Sequence, residues 1–389
     1  MPGLKLLKAS MLALLPLCAG ASEVPQVHPE KQLLAALNDM QAGRLDVALS
    51  GLDQLVRERP TFRLAQLFYS QLLSSRAGGG SVSMDSDNPE FVELIEEARL
   101  RLQRWSDEIP DGAVPSNILQ LSAQHKYAIL VDLQRARLYL IENQGGEPKV
   151  IRHFYAAMGK LGAGKEVSGD QRTPIGVYHI TDWLPGEGLP DLYGSGAFPV
   201  NYPNAWDHRL GRTGSGIWLH GVPSDTYTRA PLSSQGCVTM ANDDLMWLKP
   251  YIKTGSTPVI LARSVEWIDQ QQARAERDAL LAKVEDWRSR WAALDTDAYL
   301  AYYDDEFTSG GMSLISFAAH KRRVNRAKKY VKVQLKHLDL FRYPDQDDLV
   351  LAQFTQDYRS DNYTSRSQKQ QFWRQTEDGD WRILLEQSY

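Results

Sequence analysis

The chain has 389 residues, 43% of them hydrophobic and 24% charged, with 44 Lys+Arg against 48 Asp+Glu and a formal charge of -4. That length suits about two to three domains. The composition excludes a disordered or collagen-like chain, and the mildly acidic balance excludes a dedicated nucleic-acid binder. Two cysteines are too few for a disulfide scaffold or a Cys-rich zinc site.

Residues 1–21 read as a signal peptide: Lys5 and Lys8 precede a short apolar core, and Ala19, Gly20 and Ala21 supply small residues for cleavage before Ser22. Leu17 is too bulky for the position before an acylated Cys18. The expected location is therefore exported, in the periplasm. The segment carries two lysines and no acid, so its removal takes the net charge to -6. Cys237 is then the only cysteine left, in a compartment that damages idle thiols.

Residues 22–110 are expected to be helical. Leu33, Leu34, Leu37 and Met40 recur at helical spacing, as do Leu45, Ala48, Leu49, Leu52, Leu55 and Val56. Gly43, Leu45, Ala48, Leu52, Leu55 and Pro60 sit at offsets like those of the second half of a tetratricopeptide repeat. A stable array needs about three repeats, and a helical hairpin leaning on its neighbour accounts for the pattern equally well. Either form predicts a docking element for a protein partner. A flexible linker begins at Gly78, Gly79, Gly80 and Ser81. Asn88 as N-cap and Pro89 in the first turn then open a helix reaching about Trp105. Pro110, Gly112 and Pro115 mark a second linker.

From residue 118 the period falls to two. Strands are predicted around Tyr127–Val131, Leu138–Leu140 and Val150–Ala156, and over 175–180, 217–220 and 258–261, so 116–264 reads as a β-rich domain. Residues 265–294 return to helix, with Trp287 and Trp291 on one face. A short helix over 297–303 and a third over 312–324 follow. Alternating segments at 331–341, 349–358, 363–376 and 381–387 finish the chain, with Gly379 in a turn. Residues 270–389 are thus expected to form an α+β domain.

Gly159 to Lys165 mimics a phosphate loop, but Glu166 stands where a hydroxyl should reach magnesium, and no helix pattern follows. A glycine-rich loop between two strands is the expectation. The eight histidines are scattered without a zinc-ligand cluster, and His153 and His179 fall inside strand patterns. No metal and no cofactor is predicted.

The chemistry concentrates in Gly216-Ile217-Trp218-Leu219-His220-Gly221 and Ser233-Ser234-Gln235-Gly236-Cys237-Val238-Thr239. A strand ends in His-Gly, and 17 residues on lies the lone cysteine. An imidazole can take the proton of a thiol and activate it. Gly236 lets the chain turn so that successive N–H groups face an oxyanion. From spacing alone, the alternative is a buried cysteine beside an unrelated histidine.

These residues, with Thr173-Pro174-Ile175-Gly176, resemble an L,D-transpeptidase catalytic domain of the YkuD type, over 127–262. That family shows His-Gly, a gap of this length, then Ser-His-Gly-Cys-apolar-Arg. The resemblance implies Cys237 as nucleophile, His220 as base and the Gly221 carbonyl as its orienting group. Backbone N–H groups near Gln235, Gly236 and Cys237 would hold the oxyanion. Tyr202, Arg212, Ser233, Ser234 and Thr239 would line the substrate. Gln235 replaces the family's second histidine and Thr239 its arginine, which puts their substrate handling in doubt. The implied reaction is acyl transfer at the diaminopimelate–D-Ala bond of peptidoglycan stem peptides. L,D-carboxypeptidase trimming and a non-catalytic adaptor are the alternatives.

Residues 202–207 and 211–216 resemble a branch that includes cell-shape L,D-carboxypeptidases and carries a C-terminal NTF2-like domain, which residues 270–389 also resemble. Some NTF2-like relatives are isomerases with an Asp base, which makes Asp304, Asp305 and Glu306 candidates, against a plain solvated helix end. The basic run 321–329 is expected to be a solvated face; an anionic glycan is the partner it would otherwise take.

Overall fold

The computed structural model describes residues 28–77, 89–106 and 109–388. The expected signal segment, the linker at 78–88 and the Asn88 cap lie outside the described residues. Three helices come first: α1 (Pro29–Gln41), α2 (Leu45–Glu58) and α3 (Arg63–Arg76), followed by α4 (Pro89–Ser106). Leu33, Leu37, Ala48, Leu52, Leu55 and Leu64 bury together, as the period predicts. The hairpin expectation accounts for this packing without a repeat array.

The stretch expected as a second linker is not free. It forms β1 (Ala113–Pro115), and β2 (Ile118–Gln120) follows where the period-two pattern begins. The middle domain follows with β3 (Tyr127–Asp132), β4 (Arg137–Gln144), β5 (Glu147–Tyr155), β6 (Met158–Gly159), β7 (Gly176–His179), β8 (Leu184–Pro185) and β9 (Gly196–Pro199). Then come α5 (Ala205–Arg209), β10 (Trp218–His220), β11 (Leu232–Ser234), β12 (Val238–Thr239), α6 (Asn242–Leu248), β13 (Pro258–Ala262) and β14 (Trp267–Asp269). One sheet runs β5-β4-β3-β13-β7 and a second runs β12-β10-β9-β8. Ile129, Leu138, Phe154, Phe198, Leu219 and Leu261 fill the core shared by the two sheets. The glycine-rich loop does join two strands, β6 and β7. At Gly159 an added Cβ would lie 2.4 Å from the Gln171 carbonyl, so glycine is required there.

The last domain opens with α7 (Gln270–Ala292), N-capped by the Asp269 carboxylate on Gln271 and Gln272. Next come α8 (Thr296–Leu300), β15 (Tyr303–Ser309), β16 (Met312–Ser313) and α9 (Leu314–Arg326). Four strands close it: β17 (Val331–Arg342), β18 (Leu349–Ser360), β19 (Thr364–Gln375) and β20 (Trp381–Ser388). Its sheet runs β16-β15-β20-β19-β18-β17-β2, so β2, expected to belong to the β-rich middle domain, becomes its edge strand.

Two expectations need correction here. The short helix stops at Leu300, and Tyr303 begins a strand, so Asp304, Asp305 and Glu306 are not a helix end. Arg374 holds Asp304 at 2.7 Å and Glu306 at 3.1 Å, which ties both carboxylates. Asp304 is buried in this arrangement, and a further buried carboxylate of this domain, Glu386, is held by Lys369 at 3.2 Å and Gln371 at 2.8 Å. The basic run is also not one solvated face. Lys321 turns inward over the rings of Trp291, Phe317 and Tyr299, and burial pulls its pKa down.

Candidate active site

The His220 and Cys237 segments lie side by side. β10 and β12 pair in parallel, with Leu219 opposite Val238 and His220 opposite Thr239. Cys237 therefore enters the sheet one residue before Val238, beside the strand that ends in His220. The thiol is part-buried and unbridged, and its Sγ donates to the Gly216 carbonyl at 3.4 Å.

His220 is buried, and its Nδ1 lies 2.7 Å from the Gly221 carbonyl. A carbonyl only accepts, so Nδ1 carries the proton and Nε2 is left as an acceptor. Burial pulls the imidazole pKa down to about 4; the Gly221 carbonyl opposes this, and the Arg229 charge adds to it. Burial pushes the Cys237 thiol up, against the backbone N–H of Trp218 and the charges of Arg229 and Lys165. The resting pair is thus a thiol and a neutral imidazole. Such a pair works by general-base proton transfer, not by a standing thiolate.

The turn after His220 is fixed by Asn242, at the start of α6. Its Oδ1 accepts from Ser195 N at 2.9 Å and Val222 N at 3.2 Å, and its Nδ2 donates to Val222 O at 2.8 Å. That oxygen would stand 2.1 Å from a Cβ at Gly221, so no side chain fits there. Tyr193 packs edge-on against the His220 ring, 5.0 Å between centroids. Nothing in the spacing pointed to Asn242 or Tyr193. Arg229 did leave a signal: it is the only basic residue between His220 and Cys237.

The oxyanion expectation is partly overturned. Gly236 does adopt a φ of +118°, where glycine is favoured. Its N–H, however, already donates to the Ser234 hydroxyl at 3.1 Å, and that hydroxyl donates to the Cys237 carbonyl at 2.6 Å. Ser234 is therefore a turn-builder, buried under the nucleophile strand. Gln235 is exposed beside Cys237.

The substrate-binding expectations fare unevenly. Ser233 lines a cleft between α3, α4 and the loop before β11. Tyr202 is buried, and its hydroxyl donates to the Thr213 carbonyl at 3.1 Å. Arg212 is paired at 2.9 Å with Asp207, a fully buried carboxylate. Both belong to the frame behind the site, although Arg212 also edges a cleft with Arg172, Arg263 and Asp345. Thr239 is sealed from solvent within β12, with its hydroxyl unpartnered. A side chain enclosed in a strand does not reach a substrate, which corrects that expectation.

No group of His, Cys, Asp and Glu suited to a metal ion occurs among the described residues. No helix of the described residues is long and apolar enough to cross a membrane.

Residues 126–261 match the L,D-transpeptidase catalytic domain, YkuD, and residues 279–387 match the Cds6 C-terminal NTF2-like domain. A comparison with curated protein sequences gives no match. Among solved structures, Bd1075 of Bdellovibrio bacteriovorus is 31% identical, covers 71% of this chain and 98% of its own, and superimposes with a TM-score of 0.63. The helical cell shape determining protein Pgp2 of Campylobacter jejuni is 26% identical, covers 73% of this chain and 98% of its own, with a TM-score of 0.58. With both domains matched in order and nearly the whole of Bd1075 spanned, this chain belongs to the YkuD L,D-transpeptidase family, in the branch with a C-terminal NTF2-like domain.

Proposed function

We propose that the protein is an exported peptidoglycan-remodelling enzyme whose Cys237 carries out acyl transfer at the diaminopimelate–D-Ala bond of a stem peptide. The observation that carries this is the protonated Nδ1 of His220 on the Gly221 carbonyl, which leaves Nε2 as a base beside the Cys237 strand. The signal-like segment 1–21 supports export to the periplasm.

In this reading His220 Nε2 takes the thiol proton as Sγ forms a bond to the scissile carbonyl carbon. The C–N bond then breaks, and the imidazolium returns the proton to the departing D-Ala amine. A thioester remains on Cys237. An acceptor amine attacking it, with His220 again taking a proton, makes an L,D-linkage and restores the thiol. Water attacking it releases a tripeptide. With the Gly236 N–H engaged, the amides of Gln235 and Cys237 are the ones left of the expected three to hold the developing oxyanion. Hydrolysis gains support from Thr239. The family's arginine is missing there, and the side chain in its place is buried, so one means of holding an acceptor is gone.

The test uses residues 22–389 with purified disaccharide-tetrapeptides, read by mass spectrometry. A dimer lacking one D-Ala means transfer; tripeptide without dimer means carboxypeptidase. Cys237→Ala or His220→Ala lowers either rate by roughly 10³-fold or more. If wild type and Cys237→Ala give the same product profile, the reading fails and a non-catalytic adaptor role replaces it.

A further inference from the structure

Arg229 sits in the loop joining β10 to β11, half-buried, and lines a cleft of about 310 Å³. Helices α3 and α4 form one wall of this cleft, through Leu64, Glu93 and Glu97, and Ser233 lies on the other side. The guanidinium makes one hydrogen bond among the described residues, from Nη2 to the Ser233 carbonyl at 2.6 Å. No carboxylate among the described residues lies within ion-pair distance of it. The acids of the cleft are otherwise placed. Glu97 is held by Arg101 at 2.9 Å and by the Thr228 hydroxyl at 2.9 Å, while Glu93 and Asp225 are exposed at its rim.

A half-buried guanidinium whose opposite charge, Glu93, acts on it only from the rim and not as a contact ion pair is unusual, because desolvating a charge costs energy unless it is paired. Burial accordingly pulls the pKa of Arg229 down. Its charge is felt at both His220 and Cys237, and its anchor, the Ser233 carbonyl, lies four residues before Cys237 in the chain. The position after the nucleophile, where the family carries arginine, is here the buried Thr239. The cleft is at the small end of the range for ligand sites. Its size suits a single terminal residue.

We infer that Arg229 binds the free α-carboxylate of the residue that leaves, so that the donor peptide must end one residue beyond the scissile bond. The inference rests on the acyl-transfer reading of Cys237 and deepens it. A planar guanidinium meets a carboxylate through two parallel N–H donors, and one of its nitrogens is already fixed by Ser233. The helical module then has a part in substrate choice. It supplies one wall of the cleft, and Glu97 on α4 holds the loop through Thr228, the neighbour of Arg229.

The experiment compares kcat/KM for the disaccharide-tetrapeptide with a free terminal carboxylate and for the same compound as its terminal amide. Wild type should favour the acid by on the order of 10- to 100-fold. Arg229→Gln should bring this ratio close to one, and Arg229→Lys should keep part of it. A wild-type ratio retained in Arg229→Gln overturns the inference, and so does an equal fall for both substrates. Binding of both peptides to Cys237→Ala, with and without Arg229→Gln, by calorimetry needs no turnover. If wild type processes neither peptide, the catalytic reading fails. A carboxylate preference in binding that disappears with Arg229→Gln would still uphold the subsite, and its absence in Cys237→Ala would overturn it.

Discussion

Between the helical module and the middle domain lie four charged side chains almost sealed from water: Glu30, Glu97, Arg101 and Arg137. Between the middle and C-terminal domains lies one apolar core, in which Leu130, Ile141 and Ile260 meet Phe341, Leu351 and Phe372. On the first side, Glu30 takes Arg137 at 2.9 Å and Arg101 at 3.3 Å, and Arg101 lies over the Tyr155 ring at 3.9 Å. On the second, Trp206 of α5 stacks on Phe372, 5.2 Å apart, and β2 extends the C-terminal sheet. The apolar junction is non-directional and supplies stability in proportion to area. The ionic one adds little net stability but fixes one geometry, because each charge must find its partner. The ionic junction is the one beside the site. His28 and Arg59 also pair with Asp244 and Asp243 on α6, at 2.6 and 2.9 Å, and the same helix supplies Asn242 to the His220 turn.

The strongest way to break this comparison is deletion. Removing residues 270–389 strips the apolar junction and strands β2, so the remainder should not yield a folded, soluble middle domain. Size-exclusion chromatography with circular dichroism checks this; a monodisperse, cooperatively melting fragment would show the core to be separable. Next comes Glu30→Ala, which leaves Arg101 and Arg137 short of a buried counter-charge. The expected loss is about 3–5 kcal/mol in urea unfolding. Adding Arg137→Ala should recover part of that loss, since the two residues share one interaction. A smaller effect is expected from Tyr343→Phe at the apolar junction. Its hydroxyl accepts from Asn204 Nδ2 at 3.0 Å, and that amide also donates to the Val177 carbonyl at 2.9 Å. One neutral hydrogen bond is lost, at a cost of about 1 kcal/mol.

The same contrast explains what could be read in the sequence. The apolar periods of α1, α2 and α7 and the alternation of β17 to β20 reflect one-dimensional patterns, and the elements follow them closely. His220-Gly221 and Gly236-Cys237 were legible because the chemistry needs those residue types at that spacing. The strand at Tyr303–Ser309 was not, because Asp304, Asp305 and Glu306 break its alternation, and Asp304 and Glu306 become acceptable there only through Arg374, which reaches them from β19. Asn242, the Glu30–Arg137 pair and the demotion of Tyr202 and Arg212 to the frame depend on long-range partners that no local pattern records. Asp207, for instance, must be known to be buried before Arg212 reads as its counter-ion.

The smallest expected effect follows from where Arg229 stands. His220 must be neutral to take the thiol proton, and burial first, with the Arg229 charge in the same direction, lowers its pKa to about 4. Activity should therefore be present above that value and fall as the pH drops through about 4, giving kcat/KM an acid limb there. Arg229→Gln removes the lesser of the two causes and should move that limb upward by less than about one unit. The stability consequence has a defined sign. An unfolded histidine takes its proton near 6.5, whereas buried His220 does not until about 4. Its contribution is then complete above pH 6.5 and declines as the pH falls from 6.5 to about 4, by roughly 3 kcal/mol at most. Urea unfolding of wild type and His220→Gln across that window isolates the contribution. Identical pH slopes for the two proteins would mean that His220 is not held neutral by its surroundings, and the base assigned to Cys237 would lose its physical support.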